Sequence, residues 1–169
     1  MKIDNEILKY FLKAFALYLL YYFVYELWIN PDGRLNAWLN NVVAMLGNKV
    51  LVGFGYESCR SGTSVCINGV STVNIGNGCN GLEIYAIFAG FIIIYSGHWF
   101  AKLIYIIGGI MVIFCFNILR VVLLSIDHYN NLKLFHFNHK YTYVFVVYGV
   151  VFGLWILWVT KFATKRVVS

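Results

Sequence analysis

Four stretches of this sequence stay apolar for long enough to cross a lipid bilayer, which takes about 20 helical residues. They run over 11–29, 82–100, 102–126 and 143–160. With 61% of its residues hydrophobic, 19% aromatic and 12% charged, a soluble domain of 169 residues could not hide them all. The pattern predicts an all-α integral membrane protein: one domain over 1–169, folded as a bundle of four transmembrane helices. Asn30-Pro31-Asp32-Gly33 ends the first run, Ser96-Gly97-His98 breaks the second, and Lys161 closes the fourth. The first run is too long and too aromatic for a cleaved leader, and no small-residue cleavage site follows it, so it reads as a retained helix. Trp28, Trp99, Trp155 and Trp158 fall near the helix ends, where an aromatic belt would sit.

The net charge of +6 is scattered and gives no basic patch for nucleic acid. It is better used to orient the chain. Lys2, Lys9 and Lys13 precede the first helix, Lys102 lies in the short turn between the second and third, and Lys161, Lys165 and Arg166 follow the fourth. Four spans put these three regions on one side, which the positive-inside rule makes cytoplasmic. Residues 30–78 and 127–142 are then extracytoplasmic. Leu35, Trp38, Leu39, Val42, Val43 and Leu46 have helical spacing, so 34–49 is expected as an amphipathic helix on the membrane or on the bundle. Asn68-Gly69 between two β-branched runs signals a small β-hairpin, which leads the chain to Cys79. Residues 131–141 are expected to form a second, shorter loop.

This topology brings three chemically capable groups to one depth. Cys79 stands where the polar Asn77-Gly78-Cys79-Asn80-Gly81 turns into an apolar helix, and a helix N-terminus favours a thiolate. Arg120 interrupts the outer part of the third helix, a costly position unless it faces a partner or a wet cavity. His136 and His139 precede the fourth helix, His139 being the closer to it and the first choice; His98 and His128 are weaker candidates. A thiolate, an imidazole and a guanidinium are the parts of an acyl-transfer site: nucleophile, general acid/base and oxyanion stabiliser. Asn117, one turn before Arg120, is placed to orient it. Glu83, one turn after Cys79, would oppose a thiolate unless a cation lies beside it. Cys115 has apolar neighbours and reads as core, while Cys59 and Cys66 are spaced for a disulfide on the outer side. No cofactor motif and no metal constellation stands out.

Gly78-Cys79-Asn80-Gly81-Leu82, Asn117-x-x-Arg120-Val121 and a histidine before the last helix resemble the exosortase/archaeosortase family of prokaryotic membrane cysteine transpeptidases. The resemblance covers about residues 70–160. Asn80 stands where the family usually has serine, and the chain looks like a short form. The resemblance implies catalytic roles for Cys79, Arg120 and His139, with His136 second. It implies residence in the cytoplasmic (inner) membrane with both termini inside. It implies as substrates secreted proteins that end in a motif, a transmembrane helix and a basic tail, cleaved outside through a thioester and passed to an anchor or water. Two other classes fit the composition: a membrane thiol–disulfide oxidoreductase, and a non-enzymatic assembly or transport subunit.

Overall fold

The computed structural model of the chain describes residues 5–130 and 132–163. Lys2, Lys165 and Arg166, used above for orientation, lie outside the described residues, as does Asn131. Helix α1 (Asn5–Val24) continues through a π-helical turn (Tyr25–Ile29) and the single turn α2 (Asn30–Asp32). Gly33, at φ 65°, reverses the backbone, and α3 (Arg34–Gly53) starts from it.

The buried face of α3 is Asn36, Leu39, Asn40, Val43, Ala44, Gly47 and Leu51. Amphipathicity was foreseen, but the face is turned. Leu35 and Trp38, assigned to the apolar stripe, are exposed, and two asparagines point inward instead. Hydropathy cannot foresee buried amides whose partners come from another segment. Gly47 lets the helix approach α5 closely, since a Cβ there would stand 3.3 Å from Val121 Cγ1.

The hairpin forms where Asn-Gly placed it. Strands β2 (Ser64–Ile67) and β3 (Val70–Asn74) are antiparallel, and Asn68 and Gly69 have φ of 50° and 78°, the pair of positive values such a two-residue turn needs. A third strand, β1 (Ser58–Ser61), pairs with β2 and makes the sheet a β1-β2-β3 meander. Its sequence, Ser-Cys-Arg-Ser, has no strand pattern. It is held by its bonds: Cys59 faces Cys66 in the ladder and is disulfide-linked to it, and Ser58 Oγ reaches Asn48 Oδ1 at 2.6 Å.

Helix α4 (Leu82–Ile94) is 13 residues, about 20 Å. The segment 82–100 is therefore not one helix. The chain extends at Tyr95, and α5 (Trp99–Asn130) begins four residues on. Lys102 does not lie in a surface turn. It is inside α5 and buried, and its Nζ donates to the Ile93 carbonyl at 2.8 Å, satisfying the end of α4. Beyond α5, the loop expected over 131–141 is helical: α6 (Leu132–Phe137), a π-helical turn (Asn138–Thr142), then α7 (Tyr143–Leu157) and a last π-helical turn (Trp158–Phe162). Residues 127–142 contain neither glycine nor proline, so nothing in the segment stops a helix.

Trp99–Asn130 and Phe135–Phe162 are each long and apolar enough to cross a membrane, and Phe15–Val24 and Leu82–Ile94 are shorter apolar helices. Two cores hold the elements from α3 onward, and α1 lies against α4, with Leu17 at Gly90. One joins the sheet to α3 and α5 through Val43, Leu51, Val65, Ile67, Val121 and Val122. The other joins α4, α5 and α7 through Tyr85, Phe88, Ile113, Val147, Val151 and Trp158. Trp158 is thus core rather than belt, and Trp155 stacks on Phe91 at 4.6 Å, while Trp28 and Trp99 are exposed. Cys115, expected in the core, is exposed. The buried stripe of α5 passes through Ile113, Asn117 and Arg120, and two residues from 113 is about 200° round the helix.

Candidate active site

Cys79 ends a 3-10 turn, Asn77–Cys79, and packs against the core that joins the sheet to α3 and α5. Asparagines position this turn. Asn80 is fully buried; its Oδ1 accepts from the Leu82 N–H at 3.0 Å, closing the start of α4, and its Nδ2 donates to Asn36 Oδ1 at 2.9 Å. One helical turn further along α3, Asn40 Nδ2 donates to Asn77 Oδ1 at 3.2 Å. From α5, Asn117 Nδ2 donates to the Cys79 carbonyl at 2.9 Å. Tyr85 donates its hydroxyl to the Asn80 carbonyl at 3.2 Å. Gly81, at φ 85°, must be glycine: a Cβ there would also lie 2.6 Å from the Tyr85 hydroxyl. The loop before the helix is therefore gripped from three elements and cannot drift.

Arg120 is 8% exposed, and α5 directs its guanidinium at that loop. Nη2 lies 3.5 Å from Cys79 Sγ, and Nη1 lies 3.5 Å from Asn117 Oδ1. Its Nε has no hydrogen-bond partner among the described residues. The guanidinium is a fixed positive charge beside the sulfur. Asn117 orients the arginine with its oxygen and the cysteine backbone with its nitrogen, so one residue sets the distance between them.

The histidines gather round Phe135. His139 stacks on its ring at 5.7 Å, and His136 and His128 meet it edge-on at 5.4 and 5.0 Å. His139 is exposed and makes no hydrogen bond to Cys79 among the described residues. Asp127 anchors the segment that carries it: Oδ2 accepts from Asn138 Nδ2 at 2.7 Å and from the Tyr143 hydroxyl at 2.8 Å, so both flanks of His139 are tied to α5. His98 lies at the far end of the bundle, between α4 and α5.

A cavity of about 150 Å³ opens beside the cysteine turn, lined by Asn77, Gly78, Glu83, Arg120 and Tyr148 among others. Glu83 is exposed at its rim and forms no ion pair with Arg120 among the described residues. Sequence reasoning found Cys79, Arg120 and Asn117 and missed Asn36, Asn40 and Asp127. The signal available for the first two was their own spacing, four apart on a helix otherwise apolar on that side. Asp127 looked like part of a loop.

Neither a curated protein nor a solved structure matches the chain. A family model, transmembrane exosortase (Exosortase_EpsH), matches residues 4–159, a span holding all five described helices longer than ten residues and the whole of the site. The chain belongs to the transmembrane exosortase family.

Proposed function

We propose that the protein is a membrane cysteine transpeptidase in which Cys79 is the nucleophile, Arg120 the oxyanion stabiliser and His139 the general acid/base. The observation that carries this reading is the 3.5 Å approach of Arg120 Nη2 to Cys79 Sγ, between residues 41 apart in sequence. A buried arginine beside a free thiol has no structural need that leucine would not meet more cheaply. As activator of a thiolate and host to an oxyanion it has one.

In the proposed reaction the sulfur attacks the scissile carbonyl. The C–S bond forms and the C–N bond breaks, leaving a thioester. The departing amine takes its proton from His139, and the oxyanion that precedes departure is held by Arg120. An incoming nucleophile gives its proton to His139, attacks the thioester and releases the sulfur. His139 is exposed, and in an empty site such a base is often out of hydrogen-bond reach until substrate closes the gap. The bonds from Asn138 and Tyr143 to Asp127 hold the segment on either side of His139 and favour it over His136.

The substrates proposed are secreted proteins ending in a motif, a transmembrane helix and a basic tail. The setting proposed is a prokaryotic inner membrane crossed four times, with both termini inside and Cys79 outside. Cys79→Ala, Cys79→Ser and Arg120→Lys test it through mass spectrometry of substrate C-termini. Cys79→Ala should abolish processing. Arg120→Lys keeps the charge but not the fork that spans Sγ and Asn117, and should lower the rate by about 10²–10³. Unchanged processing in Cys79→Ala cells would reject the proposal.

A further inference from the structure

We infer that the cavity beside Arg120 is the acceptor subsite, and that Glu83 selects a primary amine there in preference to water. This rests on the proposed thioester chemistry and says what resolves the thioester.

Three observations converge. The cavity of about 150 Å³ opens beside the turn that carries Cys79, with Asn77, Gly78 and Gly81 in its wall. One wall carries Arg120, nine-tenths buried, with an Nε that no group among the described residues satisfies. Another carries Glu83, which does not pair with that arginine although the two share the space. Arg120 and Glu83 thus present opposite charges to one cavity without neutralising each other, an arrangement that suits a reacting group carrying both charges.

Aminolysis of a thioester supplies a match. Its tetrahedral intermediate carries an oxyanion and a protonated amine on one carbon. A guanidinium and a carboxylate facing one small cavity complement that pair, whereas attack by water develops no comparable positive nitrogen. The acceptor arrives as an ammonium against Glu83 and gives one proton to His139. Its lone pair attacks the thioester carbon, the C–N bond forms, the C–S bond breaks, and the second N–H proton goes to the sulfur. His139 then releases its proton to water, and the enzyme is restored. Glu83 is exposed at the rim, so the amine can enter from outside while the acyl group stays on Cys79.

The test needs no natural substrate. In a Cys115→Ser background Cys79 is the one free thiol, since the other two cysteines are disulfide-bonded. The full-length protein in lipid nanodiscs is acetylated with p-nitrophenyl acetate. Loss of the acetyl group from the Cys79 peptide is then followed by mass spectrometry in buffer, in propylamine and in neutral hydroxylamine. Propylamine should accelerate deacylation saturably. Glu83→Gln should cut the propylamine rate at least tenfold and leave the hydroxylamine rate within about twofold, and Glu83→Asp should restore part of the loss. Equal propylamine rates in Glu83→Gln and the parent, or a non-saturable response, would overturn the subsite while leaving the thiol chemistry intact. A Cys79 that takes no acetyl group, or whose acetyl group hydroxylamine does not remove, would remove the proposed reaction and the subsite together.

Discussion

Replacing Asn80 tests whether the cysteine turn is held by its asparagines. Asn80→Ser retains a side-chain oxygen for the Leu82 N–H but cannot reach Asn36, 2.9 Å from the present amide nitrogen. Asn36 is buried, and its own Nδ2 already lacks a partner, so the substitution leaves the whole amide unsatisfied. Stranding a buried polar group costs about 1–3 kcal/mol. Asn80→Ala loses the bond from the Leu82 N–H as well, about 1 kcal/mol more. The expected losses are therefore about 1–3 kcal/mol for serine and about 2–4 kcal/mol for alanine. Asn36→Ala should cost a similar amount to Asn80→Ser, because it strands Asn80 Nδ2. The double variant Asn36→Ala/Asn80→Ala removes both partners, so it should fall short of the sum of the two alanine variants by about 1–2 kcal/mol. Reversible unfolding in mixed micelles, followed by tryptophan fluorescence, measures all four. If the two alanine substitutions add to within about 0.5 kcal/mol, or if serine and alanine are equivalent at 80, the clamp does not operate as described.

Two further outcomes can be checked with the same protein. Gly81→Ala forces a side chain into the left-handed region, at about 1–2 kcal/mol, and drives its Cβ to within 2.6 Å of the Tyr85 hydroxyl, so it should lower stability by at least about 2 kcal/mol. Gly78→Ala, where a Cβ meets nothing within 4 Å, should change stability by less than about 1 kcal/mol, and equal melting points for the two would contradict this. Asp127→Ala cuts both ties on either side of His139; hydrogen exchange should quicken across residues 138–143 and leave α4 unchanged, and protection that stays the same would show that Asp127 does not anchor the segment.

Much of the site could be read from residues, for a physical reason. An arginine in an apolar helix and a cysteine between glycines at a helix start are each conspicuous, because burying charge or relaxing the backbone carries a cost that folding alone does not require. The hairpin was equally plain, since Asn-Gly admits the two positive φ values of its turn. Less visible were features set by partners distant in sequence. Strand β1 has no strand pattern and exists because Cys59 and Ser58 bond across to Cys66 and Asn48. Lys102 looked like a surface anchor until the Ile93 carbonyl accounted for it. Residues 131–141 looked like a loop because they are polar, yet they contain nothing that breaks a helix.

The sequence by itself determined that the chain seeks a non-aqueous surround, where its hairpin turns, and which thiol and which guanidinium stand apart from the apolar runs around them. Hydrophobicity and backbone geometry are local properties, and local residues encode them. Only the tertiary structure decided that α3 turns its asparagines inward to grip the turn before α4, that Asn117 spaces the sulfur from the arginine, and that Asp127 anchors the histidine segment. Hydrogen bonds between residues 37, 38 or 44 positions apart depend on how whole helices settle against one another, and that is fixed by the shape of the packed core rather than by any one segment.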